Sequence, residues 1–404
     1  MLSVKEARER ILSNFQPTAT EIVPLIASVN RVLGVDITAE DDFPPFDNSA
    51  VDGFALRFGD TSASTTTLNV VADIPAGATP NVTLGAGQAA RIMTGAQLPK
   101  GADAVIPVEN TDFQNRHAGI HAPETVSFEI ALKAGENIRL RGTDIHAGDI
   151  VLKKGRVLKP QDLGLLATLG VSDVTVHKMP KVALLSSGDE LLEVDAPLEP
   201  GKIRDSNSYT LAALVESSGA EVIRLGVAQD TRESVTRLLD EAANANADLI
   251  LSSAGVSVGA FDFIKEVIES NGSMDFWRVN MRPGKPLAFG AYRNINFIGL
   301  PGNPVSAFVG FEVFVRPTLE RLNGKMDGTR LTVRVRCEEE IQSDGRESYL
   351  RAKVNFENGE YSARLTGHQG SGNLLSLVQA DALLIIPAGV KCVPAGQEVD
   401  AYLL

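Results

Sequence analysis

The sequence predicts an α/β protein of several domains, built around a doubly wound, mostly parallel sheet. Three observations carry this reading. Between Lys181 and Asn323, short apolar runs alternate with amphipathic helical segments, the pattern of βαβ units whose sheet is covered on both faces. From about 43 to 140 the texture changes to runs of four to seven residues rich in Val and Ile, separated by Gly, Pro, Asn and Asp, which reads as a β-rich domain. From 329 onward, LTVRVRCEEE, SYLRAKVNFENG, YSARLTG, ALLIIPAG and EVDAYLL make a small all-β domain. A chain of 404 residues holds two to four domains. The division expected is a small mixed α/β domain of 1–42 plus 145–177, a β-rich domain of 43–144, an α/β domain of 178–326 and a C-terminal β domain of 327–404.

The elements follow in order. Val4, Ala7, Ile11 and Leu12 recur at helical spacing, with Ser3 as N-cap and Glu6 completing a capping box. Residues 17–40 give a second short helical or strand pattern. TLNVVAD, AARIM, DAVIPVE and VSFEIAL are the strands of the β-rich domain. At 150–176 the reading is strand, helix from Gln161, stop at Gly170, strand. KVALLSS is then an apolar strand. DSNSYTLAALVESSG is a helix with cap candidates at Asp205 and Ser206 and a stop at Gly219. EVIRLGVAQD is a strand, followed by a helix capped at Thr231. ADLILSSAG is a strand and FDFIKEVIESNG a helix. FWRVNM, PLAFGAY and INFIGL are strands, and NPVSAFVGFEVFVRPTLERLNG is one long helix.

Composition narrows the class. The net charge is −13, which argues against nucleic acid or an anionic membrane as the main partner. No apolar run approaches the ~18 residues of a membrane span, and the charged N-terminus is not a signal peptide, so a cytoplasmic protein is expected. Two cysteines, Cys337 and Cys392, make neither a disulfide framework nor a Cys-rich zinc site. Both are expected in the C-terminal core. His117 and His121 are four apart, but Gly119 and Pro123 spoil a helix there, so they form no ligand pattern.

In an open α/β sheet, ligands bind outside the carboxyl ends of the strands. The 181–323 segment concentrates polar residues there. Ser186-Ser187-Gly188-Asp189-Glu190 follows the first strand and Asp230 the second. Ser252-Ser253-Ala254-Gly255-Val256-Ser257-Val258-Gly259 and then Asp262 follow the third. Arg282-Pro283-Gly284-Lys285 and Pro301-Gly302-Asn303-Pro304 follow later ones. Hydroxyls and bare N–H groups in such loops bind phosphate oxygens, helped by helix N-termini such as that at Asp205 and Ser206. Glu190, Asp230 and Asp262 would repel a phosphate unless a cation lay between, and Mg²⁺ takes one or two carboxylates plus phosphate oxygens. The acids therefore mark a metal-bridged phosphate or phosphoanhydride. Arg282 and Lys285 form a separate cationic spot for a second anion. In the β-rich domain PPFDNSAVDGF gathers Asp47, Asn48, Ser49 and Asp52 on a turn, with Phe46, Val51 and Phe54 as anchors. Thr94-Gly95 follows one strand, Glu109 another, and IRLRGTDIHAGD adds Arg139, Arg141 and Asp144.

As a set, PPFDNSAVDGFAL, RIMTGAQLPKGADAVIPVE, RGTDIHAGD, SSGDEL, SSAGVSVGAFDF, MRPGKPLAFG, GLPGNPVSAFVGFEVFVRP and GHQGSG resemble the molybdopterin molybdenumtransferase family, MoeA in bacteria and the E domain of gephyrin in animals. The resemblance runs in order through nearly the whole chain. It implies an α/β domain of the molybdopterin-binding type and insertion of molybdenum, from molybdate, into adenylylated molybdopterin, with Mg²⁺ or a similar divalent cation and release of AMP. It implies catalytic roles for Asp52, Thr94, Glu190, Asp230, Asp262, Arg282 and Lys285, the metal falling to Glu190, Asp230 and Asp262. It places the substrate among Ser187, Gly188, Asp205, Ser206, Ser253, Gly255, Ser257, Gly259, Pro301 and Pro304, with Ser371 contributed from GHQGSG. Asp144 also lies in a family motif. Many relatives carry Lys where this chain has Arg282, a planar fork in place of a point charge. The resemblance further implies a homodimer whose active site is shared between subunits. The adenylyltransferase that makes the substrate and the apoproteins of molybdoenzymes are the implied protein partners. Two other readings stand beside this one. A molybdopterin adenylyltransferase would be about one domain long, and a non-catalytic scaffold on the same fold could dispense with the acids.

Overall fold

The strand Lys181–Ser187 organises the larger part of the molecule. Its alternate residues are apolar on both sides, so neither face tolerates water. Val182 and Leu184 join one core cluster with Leu211 and Val215 and with Val305–Leu319. Ala183 and Leu185 join another with Val235, Leu238, Val267 and Ile268. Helices Asn207–Ser217 and Pro304–Gly310 thus cover one face, and Arg232–Asn244 and Phe263–Asn271 the other. The first helix, Val4–Ser13, forms the expected capping box between Ser3 and Glu6 and buries Val4, Ala7 and Ile11 in the first of these clusters.

The computed structural model describes residues 1–62, 64–113, 119–253, 263–325 and 331–404, leaving aside the side chain of Trp277. The chain forms two compact units: Met1–Val35 with Lys154–Ala167 and Val171–Leu404, and Asp36–Lys153 with Thr168–Gly170.

In the first unit the central sheet runs Glu221–Ala228, Lys181–Ser187, Leu249–Ser253, Ile295–Leu300, Pro286–Tyr292, Gly272–Arg278. The first three pairings are parallel, as expected. The last two are antiparallel, because Arg293 and Asn294, both at positive φ, close a two-residue hairpin between Pro286–Tyr292 and Ile295–Leu300. The long helix also departs from regularity. Pro304–Gly310 and Arg316–Leu322 are α-helical, but Phe311–Val315 is a π turn. There Glu312, whose side chain is almost fully buried, receives two hydrogen bonds from Arg316, at 2.7 and 2.8 Å.

The C-terminal strands Thr332–Cys337, Glu347–Glu357, Glu360–Leu365, Ala382–Ile386 and Glu398–Leu403 close on themselves, because Glu347–Glu357 pairs with both Glu360–Leu365 and Ala382–Ile386. Closure removes the exposed edges that an open sheet of this size would carry. This region is not wholly β: Leu374–Val378 is a short helix. Nor are both cysteines in its core, since Cys337 is buried and Cys392 exposed on a two-residue strand at the surface. A further short strand, Met281–Arg282, pairs in parallel with Glu347 and Ser348.

The second unit is a five-stranded sheet in the order Ala104–Pro107, Gly53–Leu56, Gln88–Ile92, Thr66–Ile74, Thr125–Phe128. Phe54, Leu68 and Ile106 pack on one face and Ala55, Ile74 and Ile92 on the other. Of the three anchors expected around the Asp47–Asp52 turn, Phe54 is buried and Val51 partly so, but Phe46 is exposed. Among the described residues, no helix is long and apolar enough to cross a membrane.

Candidate active site

Three groups of side chains line the carboxyl ends of the central strands. The first is a pair of acids with their supports. Ser187 Oγ donates to Asp230 Oδ1 at 3.0 Å, and the Asp230 N–H donates to Asp189 Oδ1 at 3.1 Å. Asp189 is thus the brace of Asp230, a sharper role than a turn residue. Glu190 folds back over Gly188, where an added Cβ would lie 2.5 Å from Glu190 Oε2. Gly188 also sits at φ +147. Only glycine admits both the backbone and the carboxylate above it.

The second group is neutral. Asn207 Nδ2 donates to Ser253 Oγ and to the Gly302 carbonyl, both at 2.7 Å, so one amide ties two strand ends to the start of a helix. That helix is capped by Asp205, whose Oδ1 accepts from the Ser208 N–H at 3.0 Å. Ser206, the other cap candidate, makes no capping hydrogen bond, because its own backbone is already helical. Ser186 and Ser253 are register partners on adjacent strands. Among the described residues, the buried Ser186 hydroxyl has no hydrogen-bond partner.

The third group is cationic. Arg282 leads the Pro-Gly turn, half-buried, and Lys285 stands exposed at its end. Gly284 adopts φ +96, with its missing Cβ 3.5 Å from the Ser306 carbonyl, so the turn lies against the start of the helix Pro304–Gly310. The GHQGSG loop meets the same helix start, where the Val305 N–H donates to the Ser371 carbonyl at 3.0 Å. Arg351 holds that loop. It is fully buried, with Nε on Ser376 Oγ at 2.7 Å and Nη2 on the carbonyls of His368 at 3.2 Å and Gly370 at 3.1 Å. Burial pulls its pKa down, and the charge of Arg282 pulls the same way. Nearby, Asp344 hydrogen-bonds Arg346, which holds its carboxyl below the usual range, and Arg282 adds to this. Two guanidiniums thus feel one another, and among the described residues Arg351 is bonded only to neutral oxygens, an arrangement whose uncompensated charge would favour an anion.

The second unit brings together Asp52 and Thr94. The Thr94 N–H and Oγ1 both donate to Asp52 Oδ1 at 2.7 Å. The turn that presents Asp52 is stapled by Gly95 N–H on the Ser49 carbonyl and Leu98 N–H on the Asp47 carbonyl. Gly53 is obligatory next to it, since a Cβ there would fall 1.9 Å from the Ile106 carbonyl. Arg141 bonds Asp42 through Nε and Asp47 through its N–H, both at 2.7 Å. The Asp144 N–H bonds the Phe43 carbonyl.

The expectations for Gly255, Ser257, Gly259 and Asp262 lie outside the described residues. Among the described residues, no cluster of three or more His, Cys, Asp or Glu is arranged to hold a metal. Pro301 and Pro304 flank the Gly302 carbonyl that Asn207 grips. Asn207 and Arg351 were not singled out from sequence. For Arg351 the sequence offers no signal: it shares its parity in the run with Lys353 and Asn355, the polar side of the alternation, while Leu350, Ala352 and Val354 make the apolar side.

Three family profiles match in order: MoeA N-terminal region (domain I and II) over 2–170, a probable molybdopterin binding domain over 183–321, and MoeA C-terminal region (domain IV) over 334–404. The chain is 39% identical to the molybdopterin molybdenumtransferase of Nostoc sp., across 94% of this chain and 88% of that one. This chain belongs to the MoeA family. It is 37% identical to the molybdopterin molybdenumtransferase of Haemophilus influenzae, across 99% and 98% of the two chains. The solved structure of the molybdopterin biosynthesis MoeA protein from Pyrococcus horikoshii OT3 superposes with a TM-score of 0.84 at 32% identity over the full length of both chains. As a MoeA-family member, the chain is a transferase of molybdenum cofactor biosynthesis. Glu190, Asp230, Asn207 and Arg282 all fall within the segment matching the probable molybdopterin binding domain, whereas Arg351 and Ser371 fall in the MoeA C-terminal region.

Proposed function

We propose that the chain inserts molybdenum into adenylylated molybdopterin, taking the metal from molybdate and releasing AMP with the help of Mg²⁺ or a similar divalent cation. The observation that carries this is that braced acids and a cationic group, Arg282 and Lys285 with buried Arg351, follow the strands of one sheet with hydroxyls and the Asn207 amide between them. A divalent cation suits the first, because all its donors are hard oxygens. When bound, it would polarise the phosphoanhydride and neutralise its charge.

The chain's own residues supply the rest. Glu190 and Asp230 hold the cation, with Asp262 as the third acid. Ser187, Gly188, Asp205, Ser206, Ser253 and the 255–259 loop orient the phosphate-bearing substrate, between Pro301 and Pro304. Arg282, Lys285 and Ser371 receive molybdate, with Arg351 beneath. Asp52 and Thr94 act from the partner copy in a homodimer. Molybdopterin adenylyltransferase supplies the substrate, molybdoenzyme apoproteins take the product, and the reaction is cytoplasmic.

AMP release from adenylylated molybdopterin, measured with Mg²⁺ and with or without molybdate, tests the reading. Molybdate-dependent release is the expected result. Tight substrate binding with no AMP at any molybdate concentration would make the chain a binder or scaffold instead. Release that ignores molybdate would sink the metal-insertion step.

A further inference from the structure

Directly after Glu190, three residues past the end of the strand Lys181–Ser187, the chain makes an excursion that closes directly before Asp205, at the start of the helix Asn207–Ser217. The excursion is pinned at its root: Leu191–Leu192 pairs with Ile203–Arg204, and the Asp205 N–H donates to the Leu192 carbonyl at 2.9 Å. Two further bonds run from its returning end into the acid loop. The Ile203 N–H donates to the Glu190 carbonyl at 2.8 Å, and the Lys202 ammonium donates to the Asp189 carbonyl. Asp189 in turn accepts from the backbone of Asp230, whose carboxylate is held by Ser187. One lysine therefore stands at the end of a bonded chain that reaches both acids.

The choice of acceptor is informative. A lysine at an acid-rich loop could have paired with a carboxylate in place of a peptide carbonyl. Yet a carboxylate on a rotating side chain would transmit little, whereas a carbonyl is rigid with its peptide plane. The loop needs such a fastening, because Gly188, at φ +147, has no Cβ to limit its backbone.

We propose that Lys202 is a positioning residue: by fixing the 189–190 peptide it sets the placement of the Glu190 and Asp230 carboxylates for a divalent cation. This rests on the metal role proposed for those acids. It also predicts a sign. If Lys202 were only a neighbouring positive charge, removing it would tighten cation binding by relieving repulsion. If it positions the ligands, removing it weakens binding.

The test uses Mn²⁺ as the probe, its binding to the full chain followed by electron paramagnetic resonance, alongside AMP release and thermal melting. Lys202→Met is expected to weaken Mn²⁺ binding and lower kcat by about tenfold or more, the usual range for partners that orient metal ligands, while KM for the adenylylated substrate stays put. Lys202→Arg should restore most of both, and Lys202→Gln, a donor without charge, should fall between. Mn²⁺ binding by Lys202→Met as tight as wild type, or tighter, overturns the positioning role. So does a raised KM with unchanged Mn²⁺ affinity, which would make Lys202 a substrate contact. Wild-type protein that neither binds Mn²⁺ nor releases AMP would instead overturn the metal reading on which the inference stands.

Discussion

Gly188 is the residue on which the acid pair depends most directly. A methyl group there would press on the Glu190 carboxylate at 2.5 Å and force an unfavourable backbone. Gly188→Ala should cost about 1 kcal/mol of stability but lower AMP release much further, so activity and melting temperature should part company. Equal losses in both would show that Glu190 had merely moved with the fold. Asp162 makes a different kind of prediction. It is buried, which pushes its pKa up, but the paired bonds from Arg156 and the Lys159 N–H outweigh this and hold it below the ordinary value. A depressed carboxyl stabilises the fold above its unfolded pKa of about 3.9 and loses that contribution as pH falls through the folded value. Asp162→Asn should therefore be destabilising at pH 7, with the gap to wild type closing in the acid range when urea unfolding is followed against pH. Residues of this kind are partly legible in sequence. Glu190 and Asp230 could be singled out as candidates because they follow strands, where a fold of this class binds ligands. Arg351 could not, because its role comes from carbonyls far along the chain that only the closed C-terminal sheet brings to it.

Elements were legible where periodicity was strong. The helices starting at Ser3 and Thr231 declared themselves by caps, and Thr231 does accept from Ser234 at 3.2 Å. The antiparallel half of the central sheet was hidden, because Arg293-Asn294 is a weak turn signature beside Asn-Gly. The π turn was hidden too, since nothing local distinguishes Phe311–Val315 from ordinary helix. Its consequence is testable. Glu312 is buried within this segment, and burial also lowers the pKa of its partner Arg316. Arg316→Ala removes both of its hydrogen bonds to the buried carboxylate and should cost about 3 kcal/mol. A paired Arg316→Met, Glu312→Leu variant should recover most of that loss in urea unfolding. If the single and double variants are equally destabilised, the ion pair is not what matters at this turn.

At the scale of the molecule, composition excluded more than it assigned. A net charge of −13 left a small anionic substrate possible only through local cations or a metal, and the motifs then supplied the family. The proposed dimer, with each subunit lending its Asp52 and Thr94 to the other, gives a mixing experiment. Asp52→Ala and Asp230→Ala chains, each inactive alone, should regain about one quarter of wild-type activity when subunits are reassorted, since half the dimers then hold one intact site. No recovery would place all the acids in one subunit's own site.

The pairing of Met281–Arg282 with Glu347 and Ser348 bears on how such a protein can be divided. The strand lies within the segment that a gene-level dissection would assign to the α/β domain, yet its hydrogen bonds are satisfied by a sheet assembled some sixty residues later. An excised 178–326 fragment would keep its helices and parallel strands and lose the tether on the cationic turn. Shuffling this domain between proteins would carry Glu190, Asp230, Arg282 and Lys285 across together but leave behind Arg351 and Ser371, the rest of the proposed anion site.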